Sequence, residues 1–184
     1  MTTRQSILIS RVHALLKIAK STLSPSDVDV KRTKLVAATM LELCEQLQGK
    51  RISHEHLSCL VYIAHGHMLQ EQGMPLVLES FVATGQGPQL PSLRFSLKNT
   101  KESLGPAGYA LAAGRLPYEA IDVMRRVASY YGAMDLQVLQ RAMREEGTPW
   151  DKSFVSQGAP EKIDDGIIAD HFERISQARP VLGL

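Results

Sequence analysis

At 184 residues and 20.3 kDa the chain is the size of one domain with one core. An apolar fraction of 44% beside 22% charged residues argues against disorder, and 5% aromatic residues point to an aliphatic core of Leu, Val, Ile, Met and Ala. A formal net charge of +2 and a pI near 8.6 are too mild to demand a nucleic-acid or membrane partner.

Helical periodicity dominates the first third. Ile7, Leu8, Val12, Leu15, Leu16 and Ala19 recur at three- and four-residue spacing, predicting an amphipathic helix that fades near Pro25. Ser26 and Asp27 offer caps for a second helix through Leu35, Val36, Met40, Leu43, Cys44 and Leu47, stopping at Gly49. Ser53, with His56 three residues on, is half a capping box and starts a third helix along Leu57, Leu60, Val61, Ala64, Met68 and Leu69. Gly73 ends it, and Pro75 cannot continue it.

The period changes in the middle, where residues 76–117 are expected to hold a small β-hairpin or extended segments. Leu76 to Ala83 is short, apolar and partly β-branched, as a strand would be. Pro88 and Pro91 remove two backbone donors, while Gly85 and Gly87 permit angles other residues avoid. A helix can resume at Ser92. Residues 97–117 read as loop, with Arg115 to Tyr118 as a second short strand or a turn.

Helices then return. Tyr118 to Tyr131 carries Ile121, Met124, Val127 and Ala128 on one face; Met134 to Arg144, with Asp135 as N-cap, carries Leu136, Leu139 and Met143. Gly147 to Trp150 reads as a loop, and a last helix over about 164–176 presents Ile167, Ile168, His171, Phe172 and Ile175. The predicted fold is mostly α, one compact helical domain.

Charge is uneven along this domain. Residues 1–56 carry nine Lys/Arg against five acids, and residues 133–174 five against nine. These are two solvated helical faces of opposite sign, or one of them recognises a charged partner. The two cysteines, Cys44 and Cys59, lie in apolar helical segments without a C-x-x-C pair, as packed thiols of a reducing compartment would. The first residues lack signal-peptide character, and no run approaches the roughly 20 apolar residues of a membrane span, so a cytoplasmic protein is expected.

Catalytic constellations are hard to find. There is no nucleophile elbow, no papain-like cysteine context and no H-E-x-x-H. The Gly85-Gln86-Gly87 start of a phosphate loop fails, because Pro88 holds the fourth position and Leu90 the sixth. The pairs Glu145-Glu146 and Asp164-Asp165 read as solvated surface or helix N-terminal charge. Of six histidines, four lie between His54 and His67, yet His-x-His spacing on a helix divides donors between faces, while zinc needs three or four converging. The alternative is that His65 or His67 is buried or interface-facing and hydrogen-bonded. No cofactor is expected.

Four elements, in order, carry a resemblance. They are the helix Leu57 to His67, the turn Gly73-Met74-Pro75-Leu76, the block Ala83 to Pro91 and the segment Met143 to Trp150. Together they resemble the Panacea antitoxin family of SocA-like and GepA-like phage-associated domains. Its pattern is a K-L-x-K-L-L-Y-Y-A-x-G-W helix, a G-x-P-L turn, an A-W-x-Y-G-P-V-x-P block and a late T-H-x-E-x-P-W. The matching positions are Tyr62, Gly66, Gly73, Pro75, Gly85, Gly87, Pro88, Pro91, Pro149 and Trp150.

The departures point to what this chain would bind. Thr84 and Gln86 stand for the family's aromatics, His67 for the helix Trp, and Arg144-Glu145 for Thr-His; with Glu146 these are the candidate partner-binding residues. The resemblance implies a helical domain over 51–176, a helical extension over 1–50 packed on it and a tail over 177–184. It also implies a non-enzymatic protein that neutralises a cognate toxin or secreted effector by direct binding, as antitoxin or immunity protein. An adaptor delivering a toxin to a protease and a DNA-binding regulator are the alternatives, with a metal-dependent enzyme behind them. Trp150 either packs over the core or anchors the interface.

Overall fold

The computed structural model describes residues 25–96, 115–154 and 161–178. The helix expected over 7–19 and the loop over 97–114 fall outside these residues. Among the described residues the fold is seven helices and one two-stranded antiparallel hairpin, a mostly α domain.

Helix α1 (Pro25–Gln48) begins at the proline rather than after the predicted caps. The missing proline N–H is no loss in a first turn, where backbone donors lack partners anyway. Val36, Ala37, Met40, Leu43 and Cys44 are buried. Leu47, expected on that face, is 46% exposed; the last turn instead lays Gln48 against the end of the fourth helix, donating to the carbonyls of Ala128 and Ser129 at 3.1 and 3.3 Å.

Helix α2 (His54–Gln72) is the central element, with Ser53 as N-cap accepting from the His56 amide and Gly73 ending it at φ +63°. Nearly every residue from His56 to Gly66 is buried, because neighbouring elements cover it on all sides: α1, α4 (Tyr118–Tyr131), α5 (Leu136–Met143) and α7 (Asp165–Ala178). Gly66 lets α7 close in, since a Cβ there would overlap the Phe172 ring.

The strand expected over 76–83 is shorter. Only Val82–Thr84 (β1) pairs with Gly87–Gln89 (β2), in the register Val82↔Gln89, Ala83↔Pro88 and Thr84↔Gly87. The preceding backbone is engaged elsewhere: the Leu76 carbonyl accepts from Arg32 Nε at 2.8 Å, and the Val77 amide donates to the His65 ring at 3.4 Å. The far edge of β1 takes up Glu161–Ile163, with Ala83 N to Glu161 O and Ile163 N to Phe81 O both at 2.8 Å. Nothing in the local sequence announces that pairing.

Helix α3 (Pro91–Ser96) starts one residue before the expected Ser92, and the Glu79 carboxylate caps it by accepting from the Ser92 amide and hydroxyl. Arg115 to Pro117 is a turn and not a strand, leading directly into α4. Asp135 caps α5 as expected, accepting from Gln137 N and Val138 N. A short helix, α6 (Pro149–Ser153), stands where a loop was predicted. The core is largely aliphatic, as the composition implies, around three rings: Tyr62 meets Phe81 and Phe172 edge-on at centroid distances of 5.1 and 6.1 Å.

Candidate functional site

The tip of the hairpin and the corner between α5 and α6 meet. Thr84 builds the turn: its hydroxyl donates to the Gly87 carbonyl at 2.9 Å and accepts from the Gln86 amide at 3.2 Å. Gly87 sits at φ +113°, which a side chain would disfavour; Gly85 has no positive φ, so of the two only Gly87 needs to be glycine for its angles. The Thr84 carbonyl accepts from the Trp150 indole N–H at 2.6 Å, and Arg144 reaches the Gly85 carbonyl at 3.3 Å through Nη1.

The corner itself is held from both ends. Thr148 is the N-cap of α6, accepting from the Asp151 amide, while the Asp151 carboxylate accepts from the Gly147 amide at 3.0 Å. The Glu145 carbonyl accepts from the Thr148 hydroxyl at 2.7 Å. Pro149 is buried in the first turn, and Trp150 is half-buried, packed against the core and stacked on Phe154 at 4.5 Å. Trp150 thus packs over the core with part of its ring still exposed.

Of the candidate partner-binding residues, Gln86, Arg144, Glu145 and Glu146 are exposed and lie at this junction. Thr84 does not join them. It is buried, and its polar atoms are engaged in the turn and the Trp150 contact. His67 lies on α2 against the Phe172 ring at 5.2 Å, its Nδ1 3.5 Å from Glu71.

The other family-motif positions are structural. Gly73 forms the left-handed C-cap of α2, Pro75 follows it, and Pro88 and Pro91 lie in β2 and at the start of α3. Tyr62 is buried with a hydroxyl that has no hydrogen-bond partner among the described residues. Burial raises the pKa of that phenol and pushes the Cys44 and Cys59 thiols up to about 12, so both free cysteines are inert packed groups.

His65 has no exposed surface and uses both ring nitrogens. Nδ1 accepts from the Val77 amide at 3.4 Å, so Nε2 carries the proton and donates to Asp165 at 3.1 Å. Although a His–Asp pair is half of a nucleophile-activating device, this ring has no nitrogen left to take a proton from a nucleophile. The pair Asp164-Asp165 is helix N-terminal charge, one of the two expected readings, at the start of α7. Asp164 accepts from the Gly166 amide at 2.8 Å, and Asp165 ties α7 to the buried ring. Sequence reasoning missed this contact because its partners are 100 residues apart.

His54, His56 and His171 all have lowered pKa values, first through burial. At His171 the nearby Arg174 and Lys152 add to the effect. Among the described residues no three His, Cys, Asp or Glu side chains are grouped to hold a metal ion, and no helix is long and apolar enough to cross a membrane. In comparisons with known proteins no family model matches the chain, and neither a curated protein nor a solved structure matches it.

Proposed function

We propose that this protein neutralises a toxin by binding it directly, as an antitoxin or as an immunity protein against a secreted effector. The observation that carries the proposal is the junction of the hairpin tip with the α5–α6 corner. Two blocks that the family resemblance singles out, 83–91 and 143–150, meet through Trp150 to Thr84 and Arg144 to Gly85. The exposed departures Gln86, Arg144, Glu145 and Glu146 ride on that braced backbone. A backbone already held in place by these contacts reduces the ordering that binding would cost.

The docking surface is this patch, its two glutamates suited to a basic surface on the toxin. The buried thiols of Cys44 and Cys59 accord with a cytoplasmic setting. Co-expression with the product of the adjacent reading frame tests the proposal. Growth should recover with the wild-type chain. It should fail to recover with Glu145→Lys/Glu146→Lys, whose thermal unfolding should match wild type. No recovery with the wild-type chain would reject the function, and recovery with the variant would reject the patch.

A further inference from the structure

His65 on α2 holds two other parts of the chain at once and has no exposed surface. Its Nδ1 accepts from the Val77 amide at 3.4 Å, in the connection between α2 and β1, and its Nε2 donates to Asp165 on α7 at 3.1 Å. Asp165 is the charged group that pairs with the ring, and its side chain is 46% exposed. Among the described residues, charges on the neighbouring elements have partners of their own. Arg32 of α1 donates to the Leu76 carbonyl, Glu79 accepts from Ser92, and His67, further along α2, lies 3.5 Å from Glu71. The Phe81 ring packs 5.1 Å from the imidazole.

A second proton on this imidazole has to enter at Nδ1, because Nε2 already carries one. There it displaces a hydrogen bond, since Nδ1–H and the Val77 N–H would be two donors face to face. On the opposite side the same proton strengthens a bond, because a cation then donates to the Asp165 carboxylate, the counter-charge that a buried cation needs. We propose that His65 is a proton-operated latch on the connection between α2 and β1. Neutral, the ring ties that connection to α2; protonated, it releases Val77 and grips α7 harder. The freed amide, left without a partner in the core, turns to water, and Leu78 beside it is already 50% exposed. Arg32 at the Leu76 carbonyl and the Ile163 amide at the Phe81 carbonyl hold the two ends, so the loosened stretch is residues 77–80. None of these residues belongs to the exposed docking patch, and failure of toxin neutralisation would leave the latch unaffected.

Amide and imidazole nitrogen NMR of the full chain, from about pH 8 down through the range in which histidines titrate, tests the latch. At the alkaline end His65 should show the Nε2–H tautomer. On acidification the amides of residues 77–80 should shift with the same midpoint as the His65 ring. Val77 hydrogen exchange, corrected for its intrinsic pH dependence, should quicken about fivefold, as loss of one hydrogen bond implies. Asp165→Asn keeps an oxygen for Nε2 but removes the counter-charge, so it should carry both midpoints to lower pH together. A Val77 amide that stays in place while His65 titrates would overturn the proposal. So would an Nδ1–H tautomer at the alkaline end, a ring that takes up no second proton before the chain unfolds, or unchanged midpoints in Asp165→Asn.

Discussion

Gly66 faces Phe172 so closely that a methyl group cannot fit between α2 and α7. Gly66→Ala should therefore destabilise the protein by about 1–3 kcal/mol, measured by urea unfolding, as overpacking of a filled core does. In a Phe172→Leu background the added cost of Gly66→Ala should shrink, because the two sites share one volume and cannot act additively. The sequence marks Gly66 as a position within the resemblance, but only the fold says which ring makes it necessary. Thr84 teaches the converse: its identity suggested a place to bind, and its geometry makes it a turn-former. His65 was legible as buried or hydrogen-bonded, and its partners were not, since a helical period encodes a face but not what covers it.

Helix α6 is five residues long and was read as a loop, because so short a segment has no room for a periodic pattern. Its signal was present in another form: Thr148 with Asp151 three residues on, and proline directly after the cap. Thr148→Ala should cost about 1 kcal/mol by chemical unfolding. It should also move the Trp150 indole N–H resonance, since the cap holds the helix that delivers this group to the Thr84 carbonyl. An indole resonance that stays in place would mean that stacking on Phe154 alone positions the ring. The long helices, by contrast, were legible to within a few residues, because glycine, serine and aspartate caps flank continuous apolar faces.

The described part of the expected N-terminal extension, α1, contributes Val36, Met40 and Leu43 to the same core as α2, α4 and α7. Three imidazoles, His56 buried and His54 and His171 half-buried, set how the whole molecule answers acid. His54, His56 and His171 have lower pKa values folded than the usual 6.5, so the unfolded chain binds protons first as pH falls. Stability should be full above about pH 6.5 and decline on acidification through the depressed folded values. The urea midpoint at pH 5.5 should lie below that at pH 7.5, and His54→Gln/His56→Gln/His171→Gln should flatten the difference. The small sheet constrains association in a different way. Because the Ala83 amide points outward to Glu161, the opposite residue, Pro88, also turns its nitrogen outward, and that nitrogen carries no hydrogen. One margin of this hairpin is thus filled and the other has lost its central donor, so a foreign strand laid along β2 meets no N–H at Pro88 to pair with.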